Sequence, residues 1–387
     1  DLKHPFTCPI RARGKSMKKG ASVLLAVCGL LVLAGCAHER FSWDFGPKAL
    51  KFSQWRPLAR DQKLARRILA LDPLNITAED VKITLSRGPA PWIMPISPAF
   101  PGPIIFKDLF KFLIDMGYPP GRIGDPRSDD FTLSYREPSE TIAGLAAWTY
   151  ERDGMSPMLV GWSAGGITAV SALHDLSNPV NKEELKVVSG LTGEAEDRGW
   201  ILDPYTGEKR PIAGVKISFA GVLMAGGLSR LFHLFRWGER PPLHAVPDSV
   251  NELVAFHAPA DPLGTDLLSG DTARSNEFKP MGTAKVRTII ADPSYGHVNV
   301  IHCYLLTQNK KGRGWAAAYR PEGGWGLRDF RKTARYALDW GKRNLWCGEL
   351  WYAVKKHWAL EAQRVARAVL SGRAEPAGRL LSARPGP

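Results

Sequence analysis

The sequence predicts an α/β fold: a mostly parallel central sheet with helices on both faces. Three observations predict it. Apolar strand-like runs and amphipathic helical stretches alternate from Pro91 to Leu176, and strands joined by such crossovers lie parallel. Short runs of β-branched and aromatic residues recur downstream, at 215–223, 253–256 and 286–290. A length of 387 residues with 44% hydrophobic content suits one large domain with a sizeable core.

Taken in order, residues 1–16 are basic and without pattern, and Met17 reads as a start. Lys18-Lys19, the apolar run Ala21 to Ala34 and Gly35-Cys36 follow. A charged segment, a short apolar run and small residues make a secretory signal, the run being too short to span a bilayer. Leu33-Ala34-Gly35-Cys36 resembles the bacterial lipoprotein signal, in which the cysteine is diacylated and becomes the mature N-terminus. The resemblance implies that Cys36 is lipidated and, with Ala37 after it, that the protein is anchored at the outer membrane, on the periplasmic face, rather than at the inner membrane. An ordinary signal cleaved near Ala34 is the alternative. Residues 36–56 read as a tether.

A helix is expected over 57–71, with Leu58, Leu64, Ile68 and Leu71 as its apolar stripe and Asp72-Pro73 as its stop. Asn75-Ile76-Thr77 fits a glycosylation pattern. Asp80 to Leu85 alternates as a strand would, with Val81, Ile83 and Leu85 on one side. A buried strand is expected over 91–96, a helix over 104–116 ended by Gly117, a strand over 130–136, and a helix from Ser139 to about Glu151.

The most informative stretch is 155–173. An apolar strand, Met158 to Val160, runs into Gly161-Trp162-Ser163-Ala164-Gly165, and a helical pattern follows from Ile167 to Leu176. A turn this sharp strains its central residue, so the positions two before and two after must be minimal. Gly161 and Gly165 meet that need, and Gly166 lets the helix approach the sheet. Strand, turn and helix with a serine at the apex resemble the nucleophile elbow of the α/β-hydrolase superfamily. The resemblance covers about 80–310. It implies an α/β-hydrolase fold with a lid or cap insertion, Ser163 as nucleophile, and the Ala164 N–H as one oxyanion donor. The second donor belongs to the loop after the 91–96 strand, where the family commonly carries His-Gly. Here the loop reads Ser97-Pro98-Ala99-Phe100, and proline has no N–H, so Ala99 or Phe100 would donate.

After the elbow helix, 178–211 is a polar excursion with turns. The strand at 215–223 leads into a second excursion, 224–250, whose apolar Leu228 to Trp237 reads as a helix: a lid or acyl-binding wall, or ordinary packing of a cap. The strand at 253–256 leads to His257-Ala258-Pro259-Ala260-Asp261, and 286–290, read as the last core strand, leads to Gly296-His297. The resemblance implies Asp261 as the acid that orients the base and His297 as the base. Asp266 and Asp292 are rivals to Asp261. The order Ser163, Asp261, His297 is the one expected of this family. The chemistry needs all three, because a serine hydroxyl becomes nucleophilic only when an imidazole takes its proton and an acid holds the tautomer.

Beyond His297, the segment 308–326 reads as a loop rich in Gly, Lys and Arg. Its Trp315, Tyr319 and Trp325 stack on sugars or simply pack. One or two helices are expected over 327–350, a basic amphipathic helix over 351–370, and a tail over 371–387 without order. Two readings of the basic helix stay open, docking on the core or lying on the membrane. Domains are therefore placed at 1–35, 36–56, 57–350 and 351–387. Five cysteines, at 8, 28, 36, 303 and 347, show no C-x-x-C, which argues against zinc. Cys303 and Cys347 could pair in an oxidising compartment. The formal charge of +14 comes without an Arg-rich stripe interleaved with aromatics, so nucleic acid is not expected as a partner. The expectation is a lipid-anchored envelope serine hydrolase of carboxylic esters, with an ester or acyl substrate and no cofactor or metal. The alternatives are a non-catalytic binding scaffold on the same fold, or a serine hydrolase of amide or thioester bonds.

Overall fold

The computed structural model describes Leu58 and residues 61–99, 103–177, 185–226, 244–259, 261, 263–264, 276–291, 296–297, 304–330 and 340–372. Strands are β1 (Ile93–Ile96), β2 (Met158–Trp162), β3 (Trp200–Leu202), β4 (Lys209–Pro211), β5 (Phe219–Leu223), β6 (Ala245–Val246), β7 (Glu252–His257), β8 (Lys279–Pro280), β9 (Lys285–Ile290) and β10 (Gly326–Asp329). Helices are α1 (Gln62–Leu69), α2 (Ala78–Ile83), α3 (Pro103–Asp115), α4 (Ser139–Asp153), α5 (Ala164–Ser177), α6 (Tyr304–Thr307), α7 (Lys310–Ala318) and α8 (Trp340–Leu370).

Six strands form one parallel sheet in the order β1-β2-β5-β7-β9-β10. Alternate residues of each strand face opposite layers. Val160, Trp162, Phe219, Leu223, Val254, Phe256 and Ile289 join a core with α1, α3 and α8. Met94, Leu159, Ala220, Val222, Leu253 and Ala255 join a second core with α4 and α5. Pro95 is tolerated in β1 because β1 is an edge strand. The 178–211 excursion contains the β3–β4 hairpin, and β6 pairs with β8.

Several local expectations are corrected. Residues 80–85 are not a strand. Thr77 and Asp80 form a reciprocal capping box, and Val81 and Leu85, one helical turn apart, are both buried. Asn75, of the glycosylation-like triplet, bonds Asp72. Residues 130–136 make no named strand. Leu133 alone exchanges hydrogen bonds with β1, to Pro95 O at 2.8 Å and from Ser97 N at 2.9 Å. β1 then turns into the Ser97-Pro98 loop and offers no further ladder. β9 is not the last core strand, because β10 pairs with it in parallel. Residues 310–318 of the expected loop are the helix α7, capped by Asn309, whose Oδ1 accepts from Gly312 N at 2.7 Å.

The domain boundary at 350/351 falls inside α8, one 31-residue helix. It is docked, not peripheral. Trp346, Trp351, Val354, Trp358 and Val365 are at most 1% exposed, and Trp358 Nε1 donates to Pro89 O at 2.9 Å. Lys355 and Lys356, two of the charges that made 351–370 read as a basic amphipathic helix, are buried too. Lys355 donates to Ile76 O and Ala317 O at 2.9 and 2.7 Å. No helix of the described residues is long and apolar enough to cross a membrane. Cys347 is in a disulfide whose partner lies outside the described residues. The signal and tether segments, the 228–237 helix and the 373–387 tail also lie outside them.

Candidate active site

Because the sheet is parallel, the loops after β1, β2, β5, β7 and β9 all leave one edge, the carboxyl edge, where ligands of such sheets bind. Ala99, Ser163, Met224, Asp261 and His297 stand on those five loops.

The β2–α5 turn is built as the glycine spacing requires. Ser163 has φ 55°, and Met224 is the one other non-glycine residue with positive φ among the described residues. Such a conformation is costly for a side chain and persists only where the surroundings impose it. They do so here. Ser163 N donates to Leu223 O at 2.8 Å, while Ser163 O accepts from Gly166 N at 3.0 Å. A Cβ at Gly161 would overlap the Gly165 backbone, and one at Gly165 would overlap the carbonyl oxygens of Ile96 and Ser97. The first turn of α5 is thereby pressed against the start of the Ser97–Ala99 loop. The Ala164 N–H, the first of α5, has no intrahelical acceptor. Ala164 and Ala99 are both half-buried. Phe100, the other expected donor, lies outside the described residues.

The acid and the base meet. His297 Nδ1 lies 2.7 Å from Asp261 Oδ2. Both groups are buried, Asp261 completely. Asp261 Oδ1 accepts from Leu263 N at 2.9 Å, so each carboxylate oxygen has a partner. Gly264 closes over the pair, since a Cβ there would strike Asp261 Oδ2 and the Met224 carbonyl. With Nδ1 engaged by the carboxylate, Nε2 is the nitrogen left to exchange a proton. The imidazole packs on Trp162, ring centroids 5.7 Å apart, directly before Ser163. It is thus Asp261 that the structure places on His297. Asp266 and Asp292 lie outside the described residues, as does Cys36.

Met224 is the residue sequence reasoning missed. Its N–H donates to Phe256 O at 2.8 Å, and its neighbour Leu223 receives the Ser163 N–H. It therefore ties the serine turn to the strand that carries the acid. No sequence signal marks a methionine for positive φ. Among the described residues no group of three His, Cys, Asp or Glu side chains could hold a metal ion. The arrangement can orient an imidazole, hold a buried serine at the apex of a strained turn, and start a helix at the next residue. No protein-family model, curated protein or solved structure matches this chain.

Proposed function

We propose that the protein is a serine hydrolase of carboxylic esters with an α/β-hydrolase fold, held at the bacterial outer membrane through a lipid on Cys36. The observation that carries the reading is the buried 2.7 Å contact between His297 Nδ1 and Asp261 Oδ2, set beside a serine at φ 55°. A buried carboxylate on Nδ1 has a clear use when Nε2 must take and return a proton. A strained serine at a strand-to-helix apex has a clear use when its hydroxyl must stand clear of the backbone.

In this mechanism Ser163 Oγ attacks the ester carbonyl carbon while His297 Nε2 takes its proton. Asp261 holds the ring and balances the imidazolium charge. The Ala164 N–H and a donor from Ala99 or Phe100 stabilise the oxyanion. The tetrahedral intermediate collapses as the alcohol leaves with the proton from His297. Water then repeats the sequence on the acyl-enzyme and releases the acid. The 224–250 excursion is read as the lid over this edge. The anchor rests on the Leu33-Ala34-Gly35-Cys36 pattern alone.

The test is labelling with a fluorophosphonate, which reacts only with an activated serine. The full-length protein is expected to label, and Ser163→Ala is expected not to label. An unlabelled wild-type protein, beside a control hydrolase that labels, sinks the reading in favour of a binding scaffold.

A further inference from the structure

At the opposite, amino edge of the sheet lies a cleft of about 650 Å³, between the starts of β7 and β9, the 321–325 loop, α8 and the turn after α1. Its volume suits a small molecule. We propose that it is a second ligand site, taking a small amphiphilic anion: an oxyanion head on an apolar chain. The proposal is independent of the hydrolase reading.

The three cations of the cleft gather on its floor, while one of its three carboxylates, Asp72, stands apart at the mouth. Lys285, Arg287 and Lys356 converge on the Trp325 ring, at 5.7, 5.3 and 5.4 Å from its centroid. Two carboxylates answer these three cations, and both are committed. Glu252 pairs with Lys356 and with His357 Nε2. Glu349 pairs with Arg287 at 3.4 Å and accepts from Tyr319 Oη at 2.7 Å. Burial pushes Glu349 up towards its neutral form and Lys356 down towards its own, which leaves Lys285 and Arg287 as the principal charges of the floor. Asp72 at the mouth is occupied by Asn75 and the Leu74 N–H, with the charge of Arg320 near it. Lys285 is exposed, and no ion pair joins it to a carboxylate among the described residues.

The second observation is an orphan donor. Arg287 is 6% exposed and lines the cleft, yet its buried Nε has no hydrogen-bond partner. Glu349, at 3.4 Å, is the one carboxylate paired with Arg287 among the described residues, so the guanidinium has donor capacity left for an oxyanion. The third is the rim. Trp325, Leu360 and Leu74 are 42, 41 and 57% exposed, three of the five large hydrophobic side chains that stand out on the described surface. All three border this one cleft. A bare inorganic anion would leave that rim wet, and a neutral lipid would leave the cations unanswered.

The experiment is calorimetric titration of the full-length protein with octanoate, octyl phosphate, octanol and inorganic phosphate, at low and high salt. At least one octyl anion should bind saturably, and tenfold more salt should weaken it. Lys285→Ala and Trp325→Ala should each weaken binding by about tenfold, with unchanged thermal melts because both side chains reach solvent. A carboxylate site is distinguished from a phosphate site by which octyl anion binds more tightly. No saturable binding of either overturns the proposal. So does octanol or inorganic phosphate binding as tightly as the octyl anions. Binding that survives both substitutions lies elsewhere, the Ser163 edge included, and overturns it too.

Discussion

The two edges of the sheet bury charge for different ends. At the carboxyl edge one carboxylate and one imidazole face each other, next to two of the backbone's costliest conformations, Ser163 and Met224. At the amino edge Glu252, Glu349, Arg287, Lys356 and His357 interlock β7, β9 and α8. The first arrangement joins loops to loops and does little to hold the layers together. The second stitches the longest helix to the middle of the sheet. The comparison teaches that buried charge by itself does not mark a reactive centre. What sets the carboxyl edge apart is a strained backbone at the same place, which persists only where the surroundings impose it.

That contrast can be tested by breaking each edge in turn. The largest effect is expected at the carboxyl edge. Ser163→Ala or His297→Ala should lower kcat for a p-nitrophenyl ester by about 10⁶-fold, and Asp261→Asn by about 10⁴-fold, with the fold intact. Turnover retained by purified Ser163→Ala would sink the assignment. At the amino edge the order reverses. Lys356→Met leaves Glu252 buried without its ammonium and should cost about 3–5 kcal/mol of stability. Its kcat per folded molecule should stay as in wild type. Urea unfolding alongside an active-site titration separates the two, and a loss of kcat without a loss of stability would erase the distinction.

The smallest effect sharpens the comparison. Burial pushes Lys355 down to about 8 from its ordinary 10.5. Between those values the unfolded chain binds more protons than the folded one, so stability rises with pH across that window. Below pH 8 both forms are protonated and the penalty is constant. Lys355→Met should remove this rise from a series of melts at pH 7.5 to 10.5. An identical slope in both proteins would mean that Lys355 titrates normally.

How much of this was legible depended on whether the cause was local. The elbow could be read because its constraint spans five residues, and Gly161 and Gly165 have no substitute there. The parallel sheet could be read because β2 and β5 are apolar on both faces, as is β7 between its polar ends, and β9 carries Val286, Ile289 and Ile290. β10 could not, since Gly-Leu-Arg-Asp is half exposed and becomes a strand only because β9 offers a ladder. In α2 the alternation of Val81, Ile83 and Leu85 spoke for a strand, and the capping pair Thr77 and Asp80 outweighed it. Lys355 and Lys356 misled for the opposite reason. A helical wheel assigns lysine to water, but their partners are Ile76, Ala317 and Glu252, remote in sequence.

Those remote partners bear on how the chain reaches its native state. Helix α8 supplies the closing contacts for segments made far earlier. Glu361 accepts from Ser156 N, Trp358 donates to Pro89 O, and Gln363 donates to Leu71 O. The separations are 205, 269 and 292 residues. Until residues 340–370 have been synthesised, the sheet face bearing Phe219 and Phe256 lacks the α8 part of its cover, including Trp346 on Phe256 and His357 on Phe219. Contacts of such long range form slowly, and an uncovered apolar face invites association. The core on that side of the sheet is therefore completed only when α8 docks, which makes the C-terminal helix the part of the chain on which closure of the fold waits.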